Sequence, residues 1–215
     1  MSGRRILLVL GGTWHDFDGF DGAMTPFFEE EGYEVESTYD LSALEQLDER
    51  DIDLVLMYTC IGEERNDDGP TAPGPSQSQV DALVDWVQDG GGLLAAHAAT
   101  VAAQTSEDLR RLMGGIFVTH PPAYAFNVYP VFREHPITEG IEAFTVHDEF
   151  YQQIHDPSVD VHMVAVDRGV AYPMVWSKEE GDGRVAHVAM GHGPRVWAHG
   201  GYQRVMLQAA EWLTA

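Results

Sequence analysis

Continuous apolar runs, each closed by glycine or by polar residues, recur along the first half of the chain. Buried strands of a parallel sheet have this pattern because helices cover both faces of the sheet. Three runs of this kind predict strands at residues 6–10, 52–58 and 93–96. We expect these three strands to be adjacent and parallel.

Several segments between the runs have the periodicity or the boundary residues of helices. Ser76 and Gln79 form a capping box, and the apolar residues that follow recur at the i, i+3, i+4, i+7 spacing of a helix face packed on a sheet. Glycines close several of these segments, as they commonly do at helix C-termini. The predicted helices cover residues 22–31, the segment from Ser76 to the glycines at 90–92, residues 105–113 with Thr105 as the cap, and residues 202–213.

After residue 115 the pattern changes to short apolar segments separated by turn residues. Such segments predict strands, and the sequence of residues 180–183 predicts a hairpin turn. Residues 62–75 are rich in Gly, Pro and Asp, which predicts a loop. Further strands are predicted at residues 33–39, around residue 117, and at residues 127–132, 161–166, 172–176 and 185–190.

The order of these elements indicates the fold class. Strands that alternate with helices form βαβ units and a parallel sheet, so we expect an α/β three-layer sandwich in a single domain over residues 1–215. Ligands bind such sheets beyond the carboxyl ends of the strands. Polar or titratable residues end or follow four predicted strands, namely Trp14 with His15, Tyr58 with Cys60, His97, and His192.

The charge balance excludes two classes of partner. Asp and Glu number 35 against 12 Lys and Arg, so the formal net charge is −23. A surface of this sign repels nucleic-acid phosphates and anionic membranes, and neither is expected as a partner. Adaptation to a salty cytoplasm or a genome-wide bias against lysine accounts for the acidity, and we expect stability to rise with salt.

Two features bear on location and assembly. Cys60 is the single cysteine, which excludes an intramolecular disulfide. The apolar run at residues 6–10 is too short for a signal-peptide core or a membrane span. A cytoplasmic protein is therefore expected, and the sequence leaves open whether it forms a homo-oligomer.

The second half of the chain adds two candidates for chemistry. His120 precedes Pro121 and Pro122, which fix a rigid loop around it. Glu149 lies among aromatic residues, and we expect burial to raise its pKa into the range that proton transfer requires. His135, by contrast, is predicted to cap a turn.

Five short motifs occur in an order that resembles the ThuA-like (trehalose utilisation) family. Each motif alone is unspecific, but together they cover nearly the whole chain. The motifs are GGGLLAAHAAT at residues 90–100, GGIFVTHPP at 114–122, HPITEG at 135–140, Asp148-Glu149 with Tyr151, and GRV at 183–185 leading to Gly191-His192.

The resemblance implies a flavodoxin-like fold with a mostly parallel central sheet, of the class I glutamine-amidotransferase-like kind. It places His97 near the strand–turn–helix elbow where true amidotransferases carry a nucleophilic cysteine. The elbow here reads Ala96-His97-Ala98, and Cys60 ends a different strand. Because a nucleophile needs its base and oxyanion donors around that one atom, amidotransferase chemistry is not expected.

The family's link to trehalose and related disaccharide catabolism implies a small carbohydrate or keto-sugar as the partner. The residues leave two mechanisms open. In one, the catalytic set His97, His120, Glu149 and His192 exchanges protons with the sugar. In the other, a divalent, zinc-like metal that polarises a carbonyl or a water is held by several of the residues His15, His97, His120, Glu149 and His192.

Aromatic residues near the motifs have flat apolar faces that suit a pyranose ring. The predicted ligand-binding residues are Trp14, His15, Tyr58 and Tyr151. An enzyme that modifies a small sugar is the main hypothesis, and a non-catalytic sugar-binding or regulatory protein is the alternative. We expect the catalytic set to converge on one pocket although its members are far apart in sequence.

Overall fold

The computed structural model describes residues 3–62, 72–131 and 134–215. The strands are β1 (Arg5–Gly12), β2 (Glu34–Thr38), β3 (Leu54–Cys60), β4 (Gly92–Ala96), β5 (Gly115–Thr119), β6 (Tyr124–Pro130), β7 (Phe144–Asp148), β8 (Gln152–His155), β9 (Asp160–Asp167), β10 (Val170–Glu180) and β11 (Gly183–Val188). The helices are α1 (Phe17–Glu30), α2 (Gln77–Gln88), α3 (Glu107–Met113), α4 (Pro194–Trp197) and α5 (Gly200–Leu213), with 3-10 segments at Leu41–Gln46, His97–Gln104 and Pro136–Thr138.

A large sheet dominates the described part of the chain, with the strand order β2-β1-β3-β4-β11-β10-β9-β6-β7. The first five strands of this order are parallel, and Leu8 of β1 lies opposite Leu56 of β3, which in turn lies opposite Leu94 of β4. The prediction that these three strands are adjacent and parallel is confirmed. Their carboxyl ends lie along one edge of the sheet.

The other half of the sheet is antiparallel. β10 and β11 form the predicted hairpin, with Glu180 opposite Gly183, and β9, β6 and β7 extend the sheet from there. β5 and β8 form a separate antiparallel pair. The short strands of the second half therefore add an antiparallel extension to a parallel α/β core.

Helices cover both faces of the sheet, which gives the predicted three layers. On one face α1 and α5 bury Phe20, Phe28 and Val205 against the strands. On the other face α2 buries Val80 and Val87, as the helical spacing predicts. The capping box of α2 is present, with the Ser76 side chain accepting from the Gln79 backbone.

Some element boundaries differ from the predictions. α1 begins at Phe17 rather than at residue 22, because the Asp16 side chain accepts a hydrogen bond from the Gly19 backbone and caps the helix earlier. The cap of α3 is Ser106, not Thr105. Strands β7 and β8 were not predicted. Residues 63–71 of the predicted loop and residue 132 of a predicted strand lie outside the described residues.

No helix among the described residues has both the length and the apolar character that crossing a membrane requires.

Candidate functional site

Three histidines meet where parallel strands end. His15 follows β1, His97 follows β4 and His192 follows β11. The ring centroid of His15 lies 5.0 Å from that of His97 and 5.0 Å from that of His192, and the last two are 5.6 Å apart. The carboxyl edge of the sheet therefore carries a compact group of imidazoles.

His97 occupies the elbow between β4 and the following 3-10 segment. Its backbone has φ 50°, an uncommon left-handed conformation for a residue with a side chain. The side chain is fully buried, and Nδ1 lies 2.8 Å from the backbone carbonyl of Ala189. Because a carbonyl only accepts, Nδ1 carries a proton and donates it, which leaves Nε2 as the ring nitrogen that faces Glu149.

His15 is held in the same way. Its Nδ1 donates to the carbonyl of Thr13 at 3.0 Å. Burial, together with the neighbouring His97, lowers the pKa of His15 to about 3, so its ring is neutral. Trp14, which precedes His15 in the chain, also has a left-handed backbone, with φ 71°, and is 57% exposed.

Glu149 is the carboxylate around which the imidazoles converge. Its Oε2 lies 3.5 Å from Nε2 of His97 and 3.2 Å from Nδ1 of His192, and its Oε1 lies 3.6 Å from Nε2 of His120. We call His15, His97, His120, Glu149 and His192 the histidine cluster. The structure thus brings together the four residues predicted to be catalytic.

The charge state of Glu149 differs from the prediction. Burial alone raises its pKa, but the adjacent imidazoles of His192 and His97 outweigh burial, and the pKa of the carboxyl lies well below its usual value. The expected raised pKa was therefore wrong. The adjacent carboxylate of Glu149 in turn raises the pKa of His192, against the effect of burial.

His120 and Tyr151 lie next to each other, His120 beside Glu149 and Tyr151 beside His97. Nδ1 of His120 donates to the carbonyl of Pro121 at 2.9 Å, so its Nε2 also faces Glu149. The Tyr151 ring stacks on His97 at 4.2 Å and on His120 at 5.5 Å, and it is 2% exposed. Tyr151 therefore fixes the orientation of two imidazoles and offers little of its own surface.

Tyr58 lies next to His15 and His97, with ring centroids 5.9 and 6.3 Å away. It is 1% exposed, its ring stacks on Phe20 at 3.7 Å, and its hydroxyl donates to the carbonyl of Gly191 at 2.9 Å. In this position Tyr58 supports the backbone that precedes His192. Cys60 is buried at the end of β3.

Sequence reasoning did not assign a role to Asp148, which holds the backbone around His192. Asp148 is 2% exposed, and its carboxylate accepts from the backbone nitrogens of Gly191 at 2.7 Å and of His192 at 3.1 Å. The carbonyl of Gly191 accepts from Tyr58 and, at 2.6 Å, from the indole of Trp197. The pairing of Asp148 with Glu149 in one motif was the only sequence signal for this role.

Four residues of the cluster have the composition of a metal site. His15, His97, Glu149 and His192 each offer one ligand atom, and these atoms lie within 4.8 Å of one another. His120 is not in this group, so the structure separates it from the other members of the predicted metal set.

Family comparison agrees with the motifs. A family model described as ThuA, trehalose utilisation, matches residues 6–213. The chain belongs to the ThuA family. None of the curated proteins matches this ThuA-family chain significantly in sequence.

Solved structures have the same fold. A putative ThuA-like protein from Parabacteroides merdae is 18% identical with a TM-score of 0.81, over 99% of this chain and 90% of that one. Another from Bacteroides uniformis is 20% identical with a TM-score of 0.74, over 98% and 91%. A cytoplasmic protein from Salmonella typhimurium is 14% identical with a TM-score of 0.68, over 96% and 98%. At these identities the likeness concerns the fold alone.

Proposed function

We propose that this ThuA-family chain is an enzyme of small-carbohydrate metabolism that transfers protons on a sugar or keto-sugar at the histidine cluster. Membership of a family described by trehalose utilisation supports the carbohydrate class. A cytoplasmic location goes with this proposal, as does a substrate that is a small molecule rather than a polymer.

The observation that carries the proposal is the arrangement of imidazoles around one carboxylate. His97, His120 and His192 each place a ring nitrogen within 3.6 Å of Glu149. A network of this kind can take a proton from a hydroxyl or an activated carbon at one point and release it at another. Buried groups that serve only packing rarely carry several titratable atoms facing one another.

The side chains of the histidine cluster differ in how far they are exposed to solvent. The side chains of His120 and His192 are 33% and 38% exposed, Glu149 is 15% exposed and His97 is fully buried. His120 and His192 can therefore touch a small ligand directly, while the buried His97 acts through its contact with Glu149. Because its neighbours keep Glu149 ionised, this residue fits the role of counter-ion to the imidazoles better than that of acid.

Trp14 supplies the binding surface for the sugar ring in this proposal. Trp14 is 57% exposed and precedes His15 in the chain, and an exposed aromatic face near polar groups matches the mixed character of a pyranose.

A deuterium-exchange experiment tests the proposal. The protein is incubated in D2O with glucose, trehalose and their keto derivatives, and NMR follows deuterium entering carbon positions as well as new products. We expect exchange or conversion of at least one compound by the wild type. His120→Gln and Glu149→Gln should slow it by about 10²–10⁴-fold, the usual contribution of general acid–base catalysis.

His155→Gln is the matched control, since His155 is an exposed histidine at the end of β8 and has no place in the cluster. This variant should exchange like the wild type. Sugar binding without exchange by the wild type would favour the non-catalytic sugar-binding alternative. If the wild type shows neither binding of any compound nor exchange with it, the carbohydrate proposal is contradicted.

A further inference from the structure

We propose that His15, His97, Glu149 and His192 bind a single divalent transition-metal ion of the zinc class. This inference rests on the side-chain geometry of the cluster and does not depend on which substrate the protein uses.

The first observation is a pair of buried imidazole nitrogens without hydrogen-bond partners. Nε2 of His15 and Nε2 of His97 are both buried, and neither makes a hydrogen bond within the described structure. In each ring Nδ1 is already engaged with a backbone carbonyl, of Thr13 and of Ala189. With Nδ1 engaged, Nε2 is the only ring nitrogen left to bind a partner, and buried polar atoms of this kind are normally satisfied.

The second observation is the convergence of two ring nitrogens on one carboxylate oxygen. Oε2 of Glu149 lies 3.5 Å from Nε2 of His97 and 3.2 Å from Nδ1 of His192. Like Nε2 of His97, Nδ1 of His192 is buried and makes no hydrogen bond of normal geometry within the described residues. A divalent ion coordinated by these three atoms satisfies all of them at once.

The separations of the atoms fit this interpretation. Metal–ligand distances of 2.0–2.2 Å in a tetrahedral site place neighbouring ligand atoms about 3.4 Å apart. Oε2 of Glu149 lies 3.5 Å from Nε2 of His97 and 3.2 Å from Nδ1 of His192, and both distances are close to this separation. The widest pair lies within 4.8 Å, so a small rotation of side chains completes the site.

The residues behind the ligands have the arrangement that metal sites require. Ligating histidines usually donate their second ring N–H to a carbonyl or carboxylate, which fixes the tautomer and the ring orientation. The carbonyls of Thr13 and Ala189 do this for His15 and His97. Asp148 fixes the backbone of His192.

The donor set indicates the kind of ion. Three imidazole nitrogens and one carboxylate suit Zn²⁺, Co²⁺, Ni²⁺ or Fe²⁺, whereas Mg²⁺ and Ca²⁺ prefer sites made of oxygen. His120 lies outside the group of four ligands and stays available for proton transfer.

Calorimetric titration of the full chain tests the site. Protein stripped with a chelator is titrated with Zn²⁺, Co²⁺, Mg²⁺ and Ca²⁺, and the visible spectrum of the Co²⁺ form reports the coordination. We expect one tight site for Zn²⁺ and Co²⁺ and no tight site for Mg²⁺ or Ca²⁺. His15→Ala and Glu149→Gln should each weaken Zn²⁺ binding by more than about 100-fold, beyond the 10–100-fold typical of outer-shell residues.

Control variants separate this site from weak binding on the acidic surface. His155→Ala should bind Zn²⁺ within about threefold of the wild type, and Asp148→Asn should lose about 10–100-fold as an outer-shell residue. The inference fails if Zn²⁺ finds no tight site, if Mg²⁺ binds as well as Zn²⁺, or if His15→Ala and Glu149→Gln bind like the wild type. These outcomes leave the carbohydrate proposal untouched, because exchange is measured separately.

Discussion

Asp148 offers a direct way to perturb the site without touching any residue of the histidine cluster. Asp148→Asn keeps the shape of the side chain but removes its charge. The amide oxygen can still accept one of the two backbone N–H groups of Gly191 and His192, while the amide NH2 faces the other. The second backbone N–H therefore loses its acceptor.

The cost follows from the two hydrogen bonds and their burial. They measure 2.7 and 3.1 Å, and Asp148 is 2% exposed, so water cannot replace the lost acceptor. A hydrogen bond to a charged group contributes about 1.5–3 kcal/mol, and a buried donor left unpaired costs about 1–3 kcal/mol. Allowing for the bond that the amide keeps, we expect the free energy of unfolding to fall by about 2–4 kcal/mol.

Urea denaturation followed by tryptophan fluorescence measures this change. Glu142→Gln is the control, since Glu142 is an exposed acid shortly before the same strand and should change stability by no more than about 0.5 kcal/mol. If Asp148→Asn unfolds with a free energy within about 0.5 kcal/mol of the wild type, the Asp148 carboxylate does not hold the Gly191–His192 backbone and the reasoning fails.

Three further predictions concern stability. Burial raises the pKa of Glu180, but the hydrogen bond with Lys178 and its other hydrogen bonds outweigh burial and lower the pKa from 4.5 to about 2. A carboxyl whose pKa is lower in the folded state than in the unfolded state stabilises the fold at pH values above the unfolded pKa, and this stabilisation is lost as pH falls through the folded pKa. In urea titrations at several pH values, Glu180→Gln should therefore cost about 1–2 kcal/mol near neutral pH, and the difference from the wild type should vanish as pH falls from about 4.5 to 2. A constant difference across that range would contradict it. Tyr58→Phe should cost only about 0.5–1.5 kcal/mol by urea denaturation, because Trp197 still donates to the carbonyl of Gly191; a loss above about 3 kcal/mol would show another role. Thermal melts should shift upward between low and molar KCl because salt screens the repulsion among 35 acidic residues, and a flat or falling midpoint would contradict this.

The parallel half of the fold could be predicted because its signals are local. The strands β1, β3 and β4 are apolar on both faces and read as uninterrupted runs. Strand β7 could not be found in this way. Its buried positions alternate with exposed ones, it contains His147 and Asp148, and its pairing with β6 is formed by residues about 20 positions apart. Such a strand is defined by its partner more than by its own sequence.

The sequence was enough to predict which residues form the site, but not the direction in which the pKa of Glu149 is shifted. Strand ends and short motifs pointed to His97, Glu149 and His192, because topology brings the ends of parallel strands together. The pKa of Glu149 depends on imidazoles that follow other strands and contact it only in the folded protein. The sequence around Glu149 shows only its aromatic neighbours in the chain. The role of Asp148 likewise depends on backbone groups 43 and 44 residues away.

The most direct test of the central claim is imidazole NMR during a sugar titration. Long-range proton–nitrogen correlation spectra of histidine-labelled protein report the ring nitrogens of His97, His120 and His192, assigned by single substitutions. As trehalose or its keto derivative is added, the account predicts that these signals shift with one common affinity while those of exposed His155 stay constant. Saturable sugar binding that leaves all three cluster signals unchanged would contradict the assignment of this cluster as the functional site.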